Sequence, residues 1–190
     1  MLVAGCKEIV APRLPDGTPA LHRAAARDDV AGVRRHLGKD VNRRGPHGWT
    51  ALHYAAIHNA RGTARALMER RANVDALDQT GMTPLHWAAR RGNHHMVELL
   101  LERKAEVMAR NQYDMTPLHE ASTVAVARLL LAAGADKEAR NVDGMTPLHT
   151  APTKVVAQFL IKQGANMNAR AKDGRTPMDM PPVPAPRVER

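Results

Sequence analysis

Thr83-Pro84-Leu85-His86-Trp87-Ala88-Ala89-Arg90-Arg91 is the stretch from which the rest of the chain can be read. Its core, Thr-Pro-Leu-His, returns at Thr116-Pro117-Leu118-His119 and Thr146-Pro147-Leu148-His149. Weaker copies stand at Thr50-Ala51-Leu52-His53, Pro19-Ala20-Leu21-His22 and Thr176-Pro177-Met178-Asp179. Counted on the histidine, the copies are 31, 33, 33 and 30 residues apart, and Asp179 follows after another 30. A period of this length marks an array of stacked units.

The residues make physical sense as a repeated helix start. A threonine hydroxyl can accept a free backbone N–H at the N-cap, and proline in the first helical position gives up no hydrogen bond. Leu85, Ala88 and Ala89 then form one apolar stripe, and Val97, Leu99, Leu100 and Leu101 supply the stripe of a second helix. Neither helix can bury its face alone, so neighbours must stack, and the ends need polar caps.

A period near 33 with Thr-Pro-Leu-His-x-Ala, followed by Gly134-Ala135-Asp136 or Gly164-Ala165-Asn166, resembles the ankyrin repeat, a β-turn finger followed by two antiparallel helices. The resemblance runs from Asp16 to Met180. It implies an all-α ankyrin-repeat solenoid of five units, about 16–47, 48–80, 81–113, 114–143 and 144–173, with a partial C-terminal cap at 174–180. An N-terminal extension, 1–15, and a proline-rich tail, 181–190, which its composition reads as disordered, flank the array.

Several units depart from the pattern. Gly134 and Gly164 suit the left-handed residue that ends the second helix, but the register places Arg71 and Lys104 at that point in the central units. Units four and five are short by three residues between the histidine and the leucines: His86 to Leu99 is 13 residues, His119 to Leu129 only 10. The first helix or its turn must be shortened there, and Pro152 agrees. Since the resemblance puts that segment along a concave groove, binding is expected on units one to three. In the first unit, Pro19 stands where threonine is usual, and Arg23, Arg27, Asp28, Asp29, Arg34 and Arg35 give the polar surface of a cap.

Chemistry is hard to find in the chain. Five of ten histidines share one repeat position, which reads as structural, and adjacent His94 and His95 should point apart on a helix rather than pair on a metal. No nucleophile with a base beside it and no glycine-rich phosphate loop is legible. The expectation is therefore a non-enzyme without cofactor or metal, acting as a binding module, adaptor or inhibitor.

Aromatic residues are 3% of the chain, and their placement stands out. Trp49 and Tyr113 belong to fingers, while Tyr54 and Trp87 follow the repeat histidine, positions that the resemblance places on the concave face. Ile57, His58, Arg90 and Arg91 extend the patch, and Met82 and Met115 occupy the finger site of Trp49. Tryptophan, tyrosine and arginine are the side chains most enriched at interface hot spots, so these ten residues are the candidate protein-binding surface, centred on Tyr54 and Trp87.

Net charge is +9, and residues 1–110 hold 18 Lys and Arg against 11 Asp and Glu. An acidic protein partner fits this balance. A nucleic acid or other polyanion on the basic N-terminal half is the alternative, disfavoured because adjacent arginines point different ways on a helix. A monomer is expected. No apolar run reaches the roughly 20 residues of a membrane span, and the lone Cys6 allows no intrachain disulfide, which together suggest the cytoplasm. Leu2-Val3-Ala4-Gly5-Cys6 resembles a bacterial lipoprotein cleavage box, although five residues are too few for a signal peptide before it.

Overall fold

The computed structural model describes residue 14, residues 17–38 and residues 40–180. The N-terminal extension with Cys6, except for Leu14, and the tail beyond Met180 lie outside the described residues. Eight α-helices and no strand are found among those described. Each of the first three units contributes a pair: α1 (Ala20–Ala26) with α2 (Val30–His36), α3 (Ala51–Ile57) with α4 (Arg61–Glu69), and α5 (Pro84–Arg90) with α6 (His94–Glu102). The fourth and fifth units contribute one helix each, α7 (Val124–Ala132) and α8 (Lys154–Lys162).

Two layers result. An outer layer stacks α2, α4, α6, α7 and α8 in order, whereas the inner layer stacks only α1, α3 and α5. Leu52, Leu85, Leu67 and Leu100 are fully buried between the layers, with alanines at Ala55, Ala56, Ala88 and Ala89 allowing the close approach. Past α5, the three missing residues reduce the inner helix to a turn at Pro117–Glu120, held by short-range bonds such as His119 N–H to Thr116 O at 2.9 Å. The shortening read from the spacing is thus loss of a helix. Leu118 and Leu148 remain buried within the turns.

Hydroxyls tie the shortened segments to the backbone of the units before them. The Ser122 N–H and hydroxyl both donate to Ala89 O at 3.2 Å, and the Thr150 hydroxyl donates to His119 O at 2.9 Å. Thr123 and Thr153 cap α7 and α8 by accepting from Val126 N–H and Val156 N–H. This tight join needs Gly92: it has φ +72°, and a Cβ on it would lie 2.8 Å from Thr123 Cγ2.

The register at the outer helix ends is as the spacing predicts. Arg71 and Lys104 hold φ of 61° and 62°, at the point where Gly134 and Gly164 hold 94° and 80°. A side chain with a Cβ in that region costs on the order of 1 kcal/mol relative to glycine.

Candidate functional site

The repeat histidine fastens each unit to the next. In the third unit, Thr83 N–H donates to His86 Nδ1 at 3.2 Å, which fixes the ring proton on Nε2, and Nε2 donates to Met115 O of the following finger at 3.0 Å. His53 reaches Met82 O and His119 reaches Met145 O in the same way, both at 3.1 Å. Burial opposes a charge on these rings and lowers His53, His86 and His119 to about 4. At Thr176, Asp179 replaces the histidine and accepts both the Thr176 N–H and hydroxyl at 2.8 Å. A carboxylate cannot donate onward, so the chain of links stops at this residue.

Four of the ten candidate binding residues turn out to be core. Tyr54 is completely buried, and Ile57, Met82 and Trp49 are buried as well. The reason is the stacking itself: the position after the histidine in the second unit packs against the unit before it, with the Tyr54 ring edge-on to His22 at 5.4 Å and to Trp49 at 5.2 Å. Trp49 in turn meets Trp87 edge-on at 5.2 Å. The expected surface cluster is therefore an aromatic spine running inward, and it emerges only at Trp87. His94 and His95 also differ from expectation: their exposed rings lie 4.0 Å apart instead of pointing away from each other. Adjacent Cβ directions diverge, but rotation about the side-chain bonds folds the exposed rings back together.

Asp78, absent from the candidate set, organises this spine. Its Oδ2 accepts the indole N–H of Trp49 at 3.0 Å and of Trp87 at 2.9 Å. Its Oδ1 accepts from the Thr80 N–H and hydroxyl and from Met82 N–H. Burial works against the charge, but the bonds from Thr80, Trp87 and Met82 prevail and hold the carboxyl below the usual aspartate range. The finger register does expose the position, since Asn111 and Asn141 occupy it in the next units. The two indoles on its outer oxygen depend on contacts across units, which no spacing reveals.

What remains half-exposed on the inner face is Trp87, Arg90, Arg91, His58 and Met115, with Tyr113 exposed at the neighbouring fingertip. The Arg90 guanidinium lies over the Trp87 ring, 5.6 Å from its centre, and meets Glu120 at 3.3 Å. Burial raises the Glu120 carboxyl, while the Arg90 charge pulls it back. Burial, reinforced by Arg91, lowers His58, and burial, reinforced by Arg90, lowers Arg91. Among the described residues, the buried atoms His58 Nε2 and Arg91 Nη2 have no hydrogen-bond partner.

Among the described residues no helix is long and apolar enough to cross a membrane. A family model of three ankyrin-repeat copies matches residues 2–78 and again 63–141, and a single ankyrin-repeat model matches 143–172. A search of curated proteins returned no match.

Proposed function

The chain belongs to the ankyrin-repeat family, whose repeats are generally non-catalytic protein–protein interaction modules, and we propose that it binds an acidic protein through the inner face around α5. The observation that carries this reading is Trp87. It is a half-exposed indole whose N–H is already held by Asp78 and whose ring is braced by Trp49 and Arg90. A rigid aromatic in that state offers contact area with little ordering cost, the usual condition of a hot spot. The half-exposed Arg90 and Arg91 beside it add positive charge, and the +9 net charge steers a negative partner.

Tyr54, Trp49 and Met82 act beneath this surface by bracing Trp87 or the Asp78 that holds it, and Ile57 is buried core; none of the four is a contact residue. Affinity capture from nuclease-treated lysate tests the reading, with the native chain set against Trp87→Ala/Arg91→Ala. A protein retained only by the native chain supports it. Equal retention by the double variant, or loss of all bound material on nuclease treatment, refutes it, the second result favouring the polyanion alternative. Tyr54→Ala serves as a control that should lower the melting temperature, because it empties a core site.

A further inference from the structure

The finger loops hold a second regular feature, away from α5. Each loop is closed by the same bond, from the N–H of its second residue to the carbonyl of its sixth: Asn111 to Met115 and Asn141 to Met145 at 3.1 and 3.0 Å. At the first position stand Arg44, Leu77, Arg110, Arg140 and Arg170, one per unit, all exposed. The arginines are not free side chains. Arg110 Nη1 donates to its own loop at Asp114 O, 3.1 Å, and to Arg140 O of the next, 2.9 Å. Arg140 repeats this with Gly144 O at 2.8 Å and Arg170 O at 2.7 Å, and Arg170 bonds Gly174 O at 2.8 Å.

One nitrogen of each guanidinium is thus committed to backbone, and the rest of the donor fork is left toward solvent in a fixed position. The rungs are held in succession because neighbouring fingers are tied together, Gln112 N–H to Thr80 O and Val142 N–H to Tyr113 O, at 3.1 and 3.0 Å. Leu77 interrupts the ladder at its second rung with a side chain 45% exposed, and Tyr113 and Val142, also exposed, lie at the tips beside it.

We propose that this finger edge binds a segment of a partner protein in the polyproline II conformation, in which every third side chain returns to the same face and meets a rung, carboxylates on Arg110, Arg140 and Arg170 and an apolar side chain on Leu77. The spacing follows from the stacking: units a helix diameter apart, about 8–10 Å, match one three-residue turn of polyproline II chain at about 3.1 Å per residue, whereas a β-strand would turn every third side chain to the opposite face. Pre-positioned forks favour carboxylates, which they can bind in a bidentate manner. The acidic residues of the same loops make the choice sharper. Asp173 is taken up by Arg175 at 2.6 Å, but Asp114 and Asp143 are exposed at the tips between rungs. They repel a continuous polyanion and tolerate a segment whose residues between the carboxylates are neutral. The ladder continues through units four and five, where the inner helices are missing, so it does not rest on the reading at Trp87.

The test uses fluorescence anisotropy with the full chain and labelled synthetic peptides. One peptide carries an apolar residue and glutamates at every third position, and a second has the same composition with its glutamates adjacent. A thymidine oligonucleotide of equal charge is the third probe. The spaced peptide should bind about tenfold more tightly than the clustered one, and Arg110→Ala/Arg140→Ala should remove that advantage. Because those arginines also hold finger carbonyls, Arg140→Lys provides the variant that keeps the charge. It should melt near the native temperature yet lose several-fold in affinity for the spaced peptide. Equal binding of the two peptides overturns the proposal, as does tighter binding of the oligonucleotide. Trp87→Ala/Arg91→Ala should leave the spaced peptide bound; its loss in that variant would assign the peptide to the inner face instead.

Discussion

The first three units and the next two use the same signature to build different things. In the former, Thr-Pro-Leu-His at Thr83 and its weaker copies at Pro19 and Thr50 open an inner helix; in the latter, Thr116 and Thr146 open only a turn. Yet the link from histidine to the following finger has the same geometry in both, 3.0 Å from His86 and 3.1 Å from His119. The comparison teaches that stacking is kept by the link from histidine to the following finger, one buried leucine and a continuous outer layer; the threonine contact is missing at His22, whose unit stacks all the same. An inner helix is additional, and what it adds here is the raised surface carrying Trp87, Arg90 and Arg91.

Acid should have the largest effect, and it bears on both regions together. The rings of His53, His86 and His119 are held at about 4, below the 6.5 of an unfolded histidine, so the unfolded chain takes up protons first as pH falls. Their contribution is complete above about 6.5 and drains between 6.5 and about 4, at up to about 1.4 kcal/mol per pH unit for each ring. Chemical denaturation across that range should show a steep loss, and amide exchange should show the His119 link opening with the His86 link. Opening of units four and five well before the others would break the equivalence.

Core truncation comes next. Leu85 in α5 and Leu118 in the turn are both essentially without exposure, so Leu85→Ala and Leu118→Ala should each cost about 2–5 kcal/mol in denaturant midpoint experiments. A cost near zero for Leu118 would show that the turn merely drapes over the outer layer. Ser122→Ala and Thr150→Ala, which withdraw the hydroxyl partners of Ala89 O and His119 O, should cost about 0.5–1.5 kcal/mol each. Smallest is a gain. Lys104→Gly relieves a left-handed backbone and should add roughly 1 kcal/mol, seen as a higher melting temperature. Gly134, already in that role in unit four, should lose stability when changed to lysine.

Much of this was legible from residue spacing. The histidine register placed the helix starts, and the three-residue deficit located the shortened inner segments. Counting from the histidine also put Arg71 and Lys104 in the left-handed region, where their φ values are 61° and 62°. The candidate surface fared worse for a physical reason: exposure belongs to the stack, not to the unit. Tyr54 and Trp87 hold equivalent positions one unit apart, but Tyr54 is sealed between His22 and Trp49 while Trp87 reaches the inner face.

By itself, then, the sequence determined period, chain direction and helix starts, because these depend on interactions among residues a few positions apart, repeated in register. Only tertiary structure decided which aromatic rings are core and which are surface, that Asp78 holds two indoles, and that the finger arginines join into a ladder. Those contacts link residues about one repeat apart, as Arg110 to Arg140 and Trp49 to Asp78, and their geometry is set by how neighbouring units stack.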